Sequence, residues 1–529
     1  MSNAEVFKRL VGRAESRERA GAWAEAAAWA QAAANFAWRN HPGLFASAPL
    51  ERILLRIARA ASASDPPSSE RTVPPRRDER RRVLHIVTRT YFVGGHTRLL
   101  ERWMRLDTAS VHSLAVTQQH RVDLSKEVVA ACEFSGGSVH ILSDDARRGL
   151  VEQALVVRSL AEQADIVISH AHPFDVVPAL ALARPSTPPS IMLNHADHVF
   201  WVGASAFDVT ACGRDSGAAL CLERRGISAA RLALLPIPLD LPARGRPREE
   251  AKAELISELG LEAGSTLILT IAAPYKYAPA GGIDLLAAIA GVLASRRSVA
   301  LVAIGPEDTG AWAEAARRAG GRVRALGRRR DITRFYEAAD VYLDSAPFAS
   351  LSSLLEAGMH GVPVVSYQPH AEARVICADT PGLPGVLIVA RTAAALAREV
   401  YALLDDRPMR EALGDKTRAS IMLSHSPEVW CSGLEELYTR AAGRSRARDD
   451  SLPEGEDVPV CELVDALLYE LHRLSGMNAE LSRVLKRAAQ HMPLLPRLVL
   501  QTKLRLRRLV RSDRKEELVT SLDRRLFLN

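Results

Sequence analysis

The sequence predicts an α/β protein of two Rossmann-like domains facing a cleft, with added helical segments at both ends. Three observations predict it. Short apolar runs alternate with helical stretches twice over, first from residue 83 and again from about residue 250. That is the pattern of a doubly wound parallel sheet. A Pro- and Arg-rich connector, Pro236 to Pro247, separates the two series. And 529 residues exceed what one core organises.

Residues 1–60 read as a helical region. Ala22, Ala26, Trp29, Ala33 and Phe36 recur at helical spacing, Asn40-His41-Pro42-Gly43 breaks the run, and Leu50, Ile53, Leu54 and Ile57 line a second helix. One helical hairpin cannot stand alone, so it should dock on the next domain. Residues 61–82 are a Pro-, Ser- and charge-rich linker. The first α/β domain spans 83–240, with strands expected at Val83–Val87, Val111–Val116, Val139–Leu142, Ile166–Ser169 and Ile191–Leu193. The second spans 250–442, with strands at Leu267–Ile271, Val299–Ile304, Val323–Ala325, Val341–Leu343, Val364–Ser366 and Val386–Ile388, and helices at Met409–Ala419 and Pro427–Ala441 to close it. Residues 443–458 are again linker-like, and 459–529 form a basic, amphipathic helical tail.

Hydrophobic residues at 47% and charged residues at 25% are those of a soluble globular protein. Cys132, Cys212, Cys221, Cys377, Cys431 and Cys461 are scattered without a CxxC pair, which argues for a reducing compartment and against a zinc site. With no signal core and no run long enough to span a bilayer, a cytoplasmic protein is expected. From Arg483 to Lys515 basic residues interleave with leucines. Such a tail suits a solvated helix or an oligomerisation arm, with peripheral contact with the inner face of an anionic membrane as the rival reading. Aromatics at 5% argue against nucleic acid.

The most informative stretch is Asp340–Tyr367, DVYLDSAPFASLSSLLEAGMHGVPVVSY. It reads as strand, loop, helix, strand. A loop at the carboxyl end of a parallel strand, opening a helix with free N–H groups and hydroxyls, is a natural phosphate site.

This second domain resembles the sugar-nucleotide-binding half of GT-B glycosyltransferases, and its donor-site motif resembles the O-linked N-acetylglucosamine transferase family. That family's Thr-Thr pair falls on Ser352-Ser353 and its ribose-binding Asp on Glu356. The Gly361-Val-Pro-Val-Val ending is similar to the bacterial retaining GT-B families, which place a Glu where this chain has Phe348. That departure implies inverting chemistry. Ala272-Ala-Pro-Tyr-Lys276 resembles the segment that sets a Lys on the diphosphate, and Leu326-Gly327-Arg328 the loop that holds the base. Gly94-Gly95-His96 resembles the first glycine loop, and His170-Ala-His172 a His-containing segment at the cleft. The resemblance covers roughly residues 83–442.

It implies a donor site of Gly95, Lys276, Gly327, Arg328, Ser352, Ser353 and Glu356, with His96, His172 and Lys276 as catalytic candidates. Ser352 and Ser353 would hold a diphosphate at a helix N-terminus; plain capping is the competing reading. Lys276 would neutralise the leaving group, against a solvated surface lysine. Arg328 is otherwise part of a charged turn. An inverting transfer needs a base near the acceptor hydroxyl, and His titrates in the right range. Asn194-His195-Ala-Asp197-His198 reads as a hydrogen-bonded cleft wall rather than a metal site, and Asp197 would orient an imidazole. No metal or other cofactor is expected. The implied partners are a nucleotide sugar, most readily UDP-linked, and an acceptor that is a glycan, lipid or protein. The alternatives are a UDP-sugar 2-epimerase of the same fold, and a non-catalytic module that binds a partner or membrane.

Overall fold

A computed structural model describes residues 2–62, 79–91, 95–145, 148–183, 187–242, 246–444, 455–474 and 476–513, with side chains to residue 505. Gly94, most of the linkers at 61–82 and 443–458, and the end of the basic tail lie outside the described residues.

Three helices open the chain: α1 (Asn3–Arg19), α2 (Trp23–Arg39) and α3 (Ala48–Ser62). The first domain follows with β1 (Arg81–Val87), α4 (Gly95–Leu106), β2 (Ser110–Val116), α5 (Lys126–Phe134), β3 (Val139–Ile141), α6 (Leu150–Ala161), β4 (Ile166–Ser169), α7 (Val177–Leu182), β5 (Ser190–Asn194), β6 (Val209–Cys212), α8 (Asp215–Arg224) and β7 (Leu232–Leu234). Its seven strands run parallel in the order β3-β2-β1-β4-β5-β6-β7. The second domain comprises α9 (Arg248–Glu258), β8 (Thr266–Ile271), α10 (Leu285–Ser295), β9 (Val299–Ile304), α11 (Gly310–Arg318), β10 (Val323–Ala325), α12 (Thr333–Ala338), β11 (Val341–Leu343), α13 (Leu351–Met359), β12 (Val364–Tyr367), β13 (Ile388–Ala390), α14 (Ala393–Asp405) and α15 (Arg407–His425). Its six parallel strands run β10-β9-β8-β11-β12-β13.

Helix α16 (Pro427–Arg444) differs from expectation. It does not close the second domain but crosses back to the first sheet. Trp430, Leu434, Leu437 and Tyr438 bury against Val83, Trp103 and Ile191. The Trp103 indole donates to Tyr438 Oη at 2.9 Å, which in turn donates to Asp107 at 2.9 Å. An amphipathic helix read alone shows which face is apolar but not which sheet receives it.

The N-terminal helices share one continuous core with the first domain, as a hairpin that cannot stand alone requires. The buried Glu51 carboxylate accepts from the Gly203 and Ser205 N–H groups at 2.7 and 3.1 Å. Among the described residues three more helices follow: α17 (Leu463–Leu474), α18 (Leu481–Gln490) and α19 (Leu494–Asp513). Helix α17 ties three parts together. Asp465 pairs with His41 at 2.8 Å and with Arg224 at 3.1 Å, while Glu470 accepts from the Gly281 N–H at 2.8 Å. Among the described residues no helix is long and apolar enough to cross a membrane.

Candidate active site at the domain interface

In a parallel sheet every strand delivers its following loop to the same edge. The second sheet therefore collects Lys276 (after β8), Gly327 and Arg328 (after β10), and the Asp344–Ser350 loop (after β11) along one rim. Gly327 sits at φ +65°, where a side chain would be strained and would meet Glu307. Arg328 is exposed.

Lys276 Nζ donates to the Ala349 carbonyl at 2.7 Å and lies 4.9 Å from the Phe348 ring centroid. Phe348 thus faces the lysine as a cation–π partner, while His198 packs edge-on against the same ring at 4.6 Å. Burial pushes the Lys276 ammonium down to about 8, with Arg214 reinforcing the shift and Asp344 opposing it. Burial pushes the Asp344 carboxyl up, although the Ser350 and Ser345 N–H groups donate to it at 2.9 Å each. Those bonds hold the loop that opens α13. The first turn of α13 contains no acid, so its N–H groups keep a positive field for an anion. Glu356, sixth in that helix, lies beyond the turn in which an acid would simply complement the dipole.

The first domain meets this rim with the start of α4. A Cβ placed on Gly95 would lie 3.1 Å from Ser352 Oγ, so the two domains touch where the expected diphosphate site begins. His96 follows. Its Nε2 donates to the His170 carbonyl at 2.7 Å, since a carbonyl can only accept, which leaves Nδ1 as the lone-pair nitrogen. That Nδ1 is buried and without a partner. Burial lowers the His96 pKa, so its ring is neutral at pH 7. The ring packs, tilted by 36°, on His195 at 4.2 Å and lies 6.1 Å from His172. His172 Nε2 meets Tyr91 Oη at 3.0 Å, and burial pushes this imidazole down to about 3.

Several groups span the interface. Arg98 and Arg102 of α4 donate to Glu356 Oε1 at 2.9 and 3.4 Å, and Tyr336 Oη donates to Oε2 at 3.2 Å. Arg102 also donates to Asp240 and to the Pro238 carbonyl in the connector. Arg214 holds Asp197 with two bonds of 2.6 and 2.8 Å and reaches the second domain through the Cys377 and Val375 carbonyls. This pairing keeps the Asp197 carboxyl far below the usual range despite burial. Asp197 is thus chiefly an arginine partner, and His198 only approaches it at 3.6 Å.

Sequence reasoning missed two histidines and two arginines. His170 Nε2 donates to His85 Nδ1, His85 Nε2 to His112 Nδ1, and His112 Nε2 to the Asp107 carbonyl, each at 2.9 Å. The last bond fixes all three tautomers in one direction, leaving His170 Nδ1 as the buried, unpartnered end. His85 and His112 read as strand residues, and only adjacency of β4, β1 and β2 links them. Arg98 and Arg102 read as an ordinary helix surface, although their four-residue spacing places both on one face.

Residues 266–406 match the model of the family described as Glycosyl transferases group 1. No curated protein matches the chain. Among solved structures, Anabaena HepE, crystallised with UDP and glucose, is 15% identical and covers 67% of this chain and 99% of its own, with a TM-score of 0.50. A glycosyltransferase from Rickettsia africae is 10% identical and covers 69% and 99%, with a TM-score of 0.53. The two facing parallel-sheet domains give this chain the GT-B fold, and its second domain carries the glycosyl transferases group 1 match.

Proposed function

We propose that the protein is an inverting glycosyltransferase that moves a hexosyl or N-acetylhexosaminyl group from a UDP-linked donor to an acceptor hydroxyl. The observation that carries this is the meeting of Gly95 with Ser352 across the domain interface, with His96 next in the chain and the half-buried Lys276 bonded to the loop that opens α13. Lys276 and the N-terminus of α13 receive the diphosphate, stabilising the charge that develops on the leaving group. Gly327 and Arg328 flank the base. His96 Nδ1 takes the proton from the acceptor hydroxyl as that oxygen attacks the anomeric carbon; His172 contacts the acceptor. The positive field of Lys276 and α13 fills the role that a metal would otherwise serve. Phe348 in place of a carboxylate supports inversion, as does the Ser352-Ser353-Glu356 likeness to the O-linked N-acetylglucosamine transferase motif.

Incubation with a panel of nucleotide sugars and mixed acceptors tests the reading. Acceptor-dependent release of nucleoside diphosphate with an inverted product is expected; isomerised sugar, or no turnover, contradicts it. One observation favours a non-catalytic module instead. The Glu356 carboxylate, proposed to bind the ribose, is already taken by Arg98, Arg102 and Tyr336. If ribose must displace the half-exposed Arg98, Arg98→Ala should tighten UDP binding by up to about fivefold, the worth of an exposed pair of at most ~1 kcal/mol. Weaker UDP binding in calorimetry would count against that displacement.

The tail supports a cytoplasmic enzyme resting on an anionic membrane. Leu494 and Leu495 of α19 are 67% and 76% exposed, beside Arg497. The full chain should co-sediment with phosphatidylglycerol vesicles, and less so after Leu494→Glu with Leu495→Glu; equal sedimentation rejects the contact.

A further inference from the structure

Helices α2 and α18, from the two terminal regions, pack on the first domain, and where they meet they border a cavity of 120 Å³. Helix α2 contributes Asn35, Trp38 and Arg39, the loop after β1 contributes Arg89 and Tyr91, and α18 contributes Arg487. Among the described residues no Asp or Glu lines it. Three guanidinium groups from three separate segments therefore converge with no carboxylate of the described residues among them. Arg39 and Arg487 are each held below the usual arginine range, first by burial and then by neighbouring arginines. Like charges are costly to gather, and an anion between them offsets the cost. Asn35 is only 5% exposed, and its amide oxygen has no hydrogen-bond partner. The other wall is aromatic: Trp38 packs 5.1 Å from Phe174 and 5.8 Å from His172, and the Arg39 guanidinium lies 5.0 Å from the Trp38 ring. Rings beside arginines suit a charged sugar, whose faces stack while its anionic group pairs. The cavity also adjoins the reaction centre, since His172 belongs to its lining and lies 6.1 Å from the His96 ring.

We propose that this cavity is a subsite for a sugar of the acceptor that carries a phosphate or carboxylate group. The word acceptor rests on the transferase reading; the anion site does not. Its ligand is recognised by Arg39, Arg89 and Arg487, with Tyr91 and Trp38 against the ring. Because the site needs α2 and α18 together, it assigns both terminal helical regions a role in choosing the acceptor.

Calorimetric titration of the full chain with inorganic phosphate, glucuronate and glucose tests it. Phosphate or glucuronate should bind at least tenfold more tightly than glucose. Arg487→Gln and Arg89→Gln alter exposed side chains that leave the fold intact, and each should weaken the anion at least fivefold. Lys276→Gln, at the separate donor site, should not. Anion binding unchanged in both arginine variants, or glucose binding as tightly as glucuronate, overturns the proposal. So does anion binding lost in Lys276→Gln alone, which would place the anion at the donor site. Arginine-dependent binding in a chain that turns over no nucleotide sugar upholds the anion site while the transferase reading fails, so the two are separable.

Discussion

Replacing Lys276 with Gln is expected to lower kcat by about 10²- to 10³-fold, the usual cost of removing one preorganised charge partner of a transition state. The side chain sits where that charge matters most: half-buried, against Phe348, and bonded to the loop that opens α13. Its folded pKa of about 8 also gives the loss a pH signature. The ammonium form binds the diphosphate, so UDP affinity should hold below pH 7 and weaken as pH rises through 8. The stability effect has the opposite sign. Folding depresses this pKa, so the unfolded chain holds the proton more tightly and the charged lysine costs stability at pH 7. Lys276→Gln should therefore keep or raise the melting temperature while activity collapses. A variant that lost both together would mark Lys276 as a structural residue.

Replacing His96 with Gln is expected to cost about 10²- to 10⁴-fold in kcat, the range for a general base. In the parent protein the acid limb of the kcat profile should fall below pH 6.5, because burial lowers the His96 pKa. In the variant that limb should disappear. If it persists, the base lies elsewhere. Acid should also destabilise the fold. His85, His170, His172, His195 and His198 are all depressed by burial. The unfolded chain therefore binds more protons, and stability is lost as pH falls below about 6.5.

The doubly wound architecture was legible because parallel strands buried on both faces are nearly continuous apolar runs. Val299–Ile304 and Val341–Leu343 are found as expected. Strands β6 and β7 were not legible. Val209–Cys212 carries a Thr between Val and Ala, and Leu232–Leu234 is a three-residue edge strand, so neither stands out from its surroundings. Strand β13 begins at Ile388 rather than Val386, because Leu383–Val386 forms a turn around Gly385 before pairing with β12 starts at Val365. At the site, Ser352, Ser353 and Lys276 belong to local strand–loop–helix units, so their rim position could be read from order alone. The grip of Arg98 and Arg102 on Glu356, the histidine chain and the arginine cavity join segments between about 27 and 450 residues apart. Nothing local records such pairings.

The most direct test of the donor site is calorimetric titration of UDP at pH 8.5 in two buffers of different ionisation enthalpy. A diphosphate beside Lys276 raises its pKa, so binding should take up a substantial fraction of a proton, and Lys276→Gln should abolish that uptake while weakening the affinity. Binding without proton uptake, or with the same uptake and affinity in Lys276→Gln, would put the nucleotide elsewhere and contradict the account.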